Sequence, residues 1–224
     1  MIPSVNIPPG TPFSGRESIA NRALLVANGY QATPIGYRRA TGSDEPVLRA
    51  AGFQLLAGDP VEDNLVVFEQ GVADPDPTVR AFAAFGLEQL RPSRGAQLLR
   101  ELAAPAPEFG QYAPLIAAAL LARLGDPSGF ATVQRAMTEL GEPPPVVARL
   151  FPFACLGVPG IWALYGQALA SADMVIREQV MAQLRELGSP AAAPVLEQLI
   201  ASLPDEDAWK TTARDLLHEL TVPR

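Results

Sequence analysis

The stretch Asp74–Leu90 reads DPDPTVRAFAAFGLEQL. Asp76 can accept hydrogen bonds from the free N–H groups of a helix start, and Pro77 suits the first helical turn because it has no N–H to lose there. Val79, Ala83, Leu87 and Leu90 then fall on one stripe, and Phe82, Phe85 and Gln89 fall on a second stripe beside it. Two apolar stripes on one helix predict packing on two sides. Ala81, Ala83, Ala84 and Gly86 let neighbouring backbones come close, while Phe and Leu fill the remaining gaps.

The turns around this helix recur. LAGDP begins at Leu56, LRPSRG at Leu90, LGDPSG at Leu124, LGVPGI at Leu156 and LGSPAA at Leu187, spaced 34, 34, 32 and 31 residues apart. A period in this range signals an array of helix pairs. Each turn ends one helix with Gly or a substitute and starts the next with Asp or Ser and Pro. First helices are expected at 45–57, 77–90, 110–124, 144–156 and 173–187. Second helices are expected at 60–73, 93–103, 127–140, 159–170 and 190–203, and a last first-type helix at 205–220. Arg49, Arg80, Arg149, Arg177 and Arg214 lie early or midway in the first helices. Arg80 is expected to reach acidic or carbonyl groups of an adjacent unit.

The units resemble HEAT-like repeats, especially the short bacterial kind found in phycobilin lyase subunits, with a pattern near D-P-x-V-R-x-x-A-A-x-A-L-G-x-L-G-D-P. Residues 76–90 match it best; DEPVLRAAGFQLLAGDP (44–60), IAAALLARLGDPSG (116–129) and MVIREQVMAQLRELGSP (174–190) match in part, and 143–170 diverges most. The resemblance implies an all-α chain, a right-handed α-α superhelix (an α-solenoid of about five helix pairs) over 44–224. Residues 1–43 are then an N-terminal extension with one capping helix, Ser18–Asn28, which hides the end of the solenoid.

Composition bounds the function. With 48% hydrophobic residues the chain can build a large core, and a net charge of −7 does not suit binding to nucleic acid. The charge is uneven. Arg16, Arg22, Arg38 and Arg39 face only Glu17 in residues 1–43, a net of +3, while the rest carries −10. Residues 150–172 bear no charge, yet GVPG at 157–160 divides them, so two buried helices are expected and not a membrane span. MIPSVNIPPGTPF lacks the basic start and apolar run of a secretory leader, which makes a cytoplasmic location the expectation.

Chemistry-bearing motifs are sparse. The sequence holds no G-x-x-x-x-G-K-[ST] and no G-x-G-x-x-G, and His218 and Cys155 are each the sole residue of their kind. A multi-histidine metal site within one chain is thereby excluded, and with it close similarity to HEAT-repeat iron hydroxylases. The repeat body is too acidic to resemble the alkylpurine DNA glycosylases in more than architecture. Cys155, within FPFACLG, reads as a small buried hydrophobe. The acidic groups Asp59/Glu62/Asp63, Asp74/Asp76 and Asp205/Glu206/Asp207 each fall at a helix start, where capping explains them. No catalytic, cofactor-binding or metal-ligating residue is expected.

What remains is a surface. The second helices of such arrays line the concave side, so Glu69, Gln70, Arg100, Gln134, Trp162, Tyr165 and Glu197 are the expected partner-binding residues. Trp162 and Tyr165 lie three apart on one helix face and supply the expected hot spot. The expected function is a non-catalytic scaffold that binds a protein or peptide on the concave face. The resemblance also implies an alternative, a subunit of a bilin-lyase-like, chromophore-handling enzyme. A homodimer through the aromatic fourth unit is a third reading.

Overall fold

The computed structural model describes residues 15–104, 112–138, 154, 158 and 160–221; for 15–19, 112, 134 and 136–138 the description covers backbone only. All regular structure among the described residues is helical. The helices are α1 Gly15–Ala27, α2 Pro34–Ala40, α3 Pro46–Ala57, α4 Leu65–Gly71, α5 Pro77–Leu90, α6 Arg94–Ala103, α7 Tyr112–Arg123, α8 Pro127–Thr138, α9 Ile161–Leu169, α10 Met174–Leu187, α11 Ala193–Ser202 and α12 Ala208–Thr221. Short 3-10 turns, Glu62–Asn64 and Pro190–Ala192, lead into α4 and α11. The fold divides into two compact units, Glu17–Ala136 and Met137–Arg224.

Local chemistry sets the helix boundaries. Asp76 Oδ1 accepts from the N–H groups of Thr78 (2.8 Å) and Val79 (3.0 Å), and Asp173 Oδ1 accepts from Val175 N (2.8 Å). Gly188, at φ 58°, takes the left-handed conformation that stops α10. Two expectations change. Residues 1–43 hold a second helix, α2, capped by Thr33, whose Oγ1 accepts from Gly36 N at 3.2 Å. The expected cap within Asp59/Glu62/Asp63 does not form, since neither the 3-10 turn nor α4 has a side-chain cap, and α4 is shorter than the predicted 60–73. The predicted helix 144–156, Arg149 and Cys155 included, lies outside the described residues apart from Ala154.

Helices that alternate along the chain are neighbours in space. In the first unit α3 packs on α5 and α5 on α7, while α4 and α6 both rest against α5 and α2 rests on α3. In the second unit α10 packs with α12 and α9 with α11. The central helix α5 is enclosed accordingly: every residue from Ala81 to Leu87 is buried. Side-chain bonds mark the same offset. Asn21 donates to Gln54, Gln89 to the carbonyl oxygen of Ala57, and Arg185 to Glu219, across 33, 32 and 34 residues.

A second device repeats at the helix starts. Arg49 Nη1 donates to the carbonyl oxygens of Ser43 and Asp44 (both 3.0 Å), and Arg80 Nη1 donates to those of Asp74 (2.7 Å) and Pro75 (3.0 Å). Arg177 Nε reaches the carbonyl of Ser171 at 2.7 Å. Each arginine thus folds back five or six residues and ties down the turn that precedes its own helix. Arg80 meets carbonyl groups as expected, but these belong to the turn before its own helix and not to an adjacent unit.

Candidate interaction site

Two of the residues expected to meet a partner, Glu69 and Arg100, are already engaged within the first unit. Glu69, on α4, accepts from Arg94 Nη1 of α6 at 3.2 Å. Arg100, also on α6, donates through Nε (2.9 Å) and Nη2 (2.7 Å) to Asp126 Oδ2 at the start of α8. Arg91 pairs with Glu62 in the same way. Burial pulls the Asp126 carboxyl toward a higher pKa, but hydrogen bonds from Ser128 and Arg100 outweigh it and hold the group below the usual carboxylate range. These pairs lace successive second helices together. Gln70 is exposed on α4, and the side chain of Gln134 lies outside the described residues.

In the second unit the two members of the aromatic pair differ in burial. The rings of Trp162 and Tyr165 stack with centroids 5.8 Å apart. Tyr165 is fully buried and its hydroxyl donates to Gln183 Oε1 at 2.8 Å, so its ring belongs to the core. Trp162 is half-buried, and Glu197 is exposed on α11. The spacing of three put both rings on one helix face, as read from sequence; how deeply that face is covered is a property of the packing.

A different site emerges between α10 and α12. A groove of about 410 Å³ lies there, with Met181 at its base, Met174 and Trp209 beside it, and Glu178 and Arg185 as its charged members. Met181 is 3% exposed and Met174 61% exposed, and Val175 next to Met174 is 56% exposed. Ile176 and Val180 supply the buried stripe of α10, so Met174 and Val175 are apolar residues beyond the needs of the core. Trp209 is placed by the start of α12. Asp207 Oδ1 accepts from Trp209 N (2.8 Å), and Lys210 Nζ donates to the carbonyl of Leu203 (2.8 Å) and pairs with Asp205 (2.8 Å). The Lys210 ammonium hydrogen bond and charge hold the Asp205 carboxyl below its ordinary pKa.

Sequence reasoning passed over this groove, although two signals were present. Met174 and Val175 open a helix outside its buried stripe, and Trp209 stands at a helix start where the repeat asks for no aromatic. Methionine adapts to varied shapes and tryptophan offers a large, stiff contact surface, a combination suited to binding. Arg185 and Glu219 form an ion pair at 3.1 Å at the groove's side.

Among the described residues no group of three His, Cys, Asp or Glu side chains could hold a metal ion, and no helix is long and apolar enough to cross a membrane. His218 is exposed on α12. No protein-family model matches this chain, and no curated protein matches it significantly.

Proposed function

We propose that the protein is a non-catalytic interaction module, a HEAT-like α-solenoid that binds a protein or peptide partner. The groove between α10 and α12 carries this reading: a buried methionine floor, an exposed Met174–Val175 edge and a fixed tryptophan suit one large apolar anchor of a partner segment. Repeat turns 31 to 34 residues apart, together with side-chain bonds across 32 to 34 residues, favour the solenoid. The partner-facing residues are then Met174, Val175 and Trp209 on first helices. The predicted concave-face residues Glu69 and Arg100 serve chiefly to join neighbouring units.

The experiment compares capture from native lysate by the wild-type chain, a Met174→Ala/Trp209→Ala variant and a Trp162→Ala variant, each first checked for helicity. A stoichiometric partner held by wild type and by Trp162→Ala but lost by the groove variant supports the proposal. A partner retained by the groove variant sinks it. A visible absorption band on the purified chain would replace it with chromophore handling.

A further inference from the structure

A second cavity, of about 360 Å³, is enclosed by α1, α2, α3 and the turn before α4. Its wall is largely apolar, with Leu56 and Val61 among its members, and Tyr37 adds a buried ring. Gln54 also lines it and is 4% exposed. The Gln54 Oε1 atom accepts from Asn21 Nδ2 at 2.9 Å, whereas the Nε2 donor is buried without a hydrogen-bond partner. Native proteins seldom leave such a donor unmade; a turn of the Gln54 amide toward the cavity would let an acceptor there gain the hydrogen bond that folding alone does not supply.

Two exposed charges of opposite sign share this cavity, Arg22 and Asp59. Neither side chain forms an ion pair or hydrogen bond among the described residues. Asp59 also caps no helix, unlike Asp76 and Asp207 at the other acidic helix starts. One cation, one anion, one unpaired amide donor and an apolar wall therefore meet at a pocket of small-molecule size.

We propose that this cavity binds a small zwitterion, a free α-amino acid with an aliphatic side chain. The carboxylate takes the hydrogen bond from Gln54 Nε2 and the charge of Arg22. The ammonium takes the charge of Asp59, and the side chain lies on the apolar wall. This site is separate from the α10–α12 groove and does not depend on the partner proposed for it.

The test is a ¹H–¹⁵N NMR titration of the full chain with L-leucine, with isovalerate and isoamylamine as probes carrying only one of the two charges. Leucine should shift the Gln54 side-chain amide and the backbone amides of α1–α3 saturably, and each half-probe should bind at least about tenfold more weakly. Gln54→Leu should weaken leucine binding by about tenfold or more. Arg22→Ala and Asp59→Ala, at exposed positions that leave the core intact, should each weaken it several-fold. The proposal is overturned if leucine produces no saturable shift, or if the half-probes bind equally well. It is also overturned if both exposed variants keep full affinity, or if Gln54 Nε2 contacts water alone while leucine leaves it unmoved.

Discussion

The guanidinium of Arg49 grips the carboxylate of Asp74 with two hydrogen bonds, Nε to Oδ2 at 2.8 Å and Nη2 to Oδ1 at 2.9 Å. Both side chains are nearly buried, at 12% and 11% exposure. Arg49 belongs to α3 and Asp74 to the turn before α5, so one fork joins two successive units while its third nitrogen holds the turn before α3. Asp74 Oδ1 also accepts from Asp76 N at 2.9 Å, which braces the residue that caps α5. Charge-assisted, two-pronged pairs of this kind are stronger than neutral hydrogen bonds.

Asp74→Asn should therefore lower unfolding free energy at neutral pH by about 1–3 kcal/mol. Burial pushes the Asp74 carboxyl up, but the Arg49 hydrogen bond, the Asp76 N–H and the charges of Arg49 and Arg80 outweigh it and leave its pKa lowered. A carboxylate with a depressed folded pKa contributes fully above the unfolded value near 4 and loses that contribution as pH falls through its folded value. The gap between wild type and variant should thus be constant from neutrality to about pH 5 and close below about pH 4. Urea denaturation across this range measures it; a gap that persists undiminished in strong acid contradicts the assignment.

Gly86→Ala tests close stacking in α5. A Cβ at Gly86 would sit 2.2 Å from the ring of Phe68, which is fully buried and held against Phe53 with centroids 6.2 Å apart. Alanine favours a helix by about 1 kcal/mol, but overpacking costs about 1–3 kcal/mol, so a net loss in melting temperature is expected. Gly42→Ala is the control, because its nearest neighbour would be a carbonyl oxygen at an ordinary 3.6 Å.

Ser93 is the one described non-glycine residue with positive φ, at 80°. Its side chain caps nothing. Glu88 does that work from α5, accepting from Ser93 N (2.9 Å) and Ala96 N (2.7 Å). Ser93→Gly should stabilise the protein by about 0.5–1 kcal/mol, and Ser93→Val should destabilise it by a similar amount or more. Thermal melting of the two variants would show opposite shifts; shifts of the same sign would refute the strain.

Tyr165→Phe and Trp209→Ala should separate stability from binding. The first removes the hydroxyl that bonds Gln183 and should cost about 1 kcal/mol of stability while leaving partner binding intact. The second should reduce binding with little change in melting temperature, because Trp209 is only half-buried. Paired melting and pull-down measurements decide, and the reverse pattern would return the contact surface to α9.

Features written in adjacent residues were legible from sequence alone. Asp76–Pro77 starts α5 at Pro77, Asp173 starts α10 and Gly188 stops it, because caps and left-handed turns depend on neighbours within one helical turn. Three side-chain bonds span 32 to 34 residues, close to the turn spacing, whereas the ion pairs Arg49–Asp74, Arg94–Glu69 and Arg100–Asp126 span 25 or 26. The second helix of the N-terminal segment was missed although Thr33–Pro34 is a helix start, since seven residues are too few to display a period. Tertiary structure alone decided the rest: that Tyr165 is core, that Asp74 belongs to Arg49, that Gln54 keeps an unpaired donor and that Trp209 and Met174 line one groove. Each depends on which side chains from distant parts of the chain share one small space, and packing of whole helices, not local preference, selects those partners.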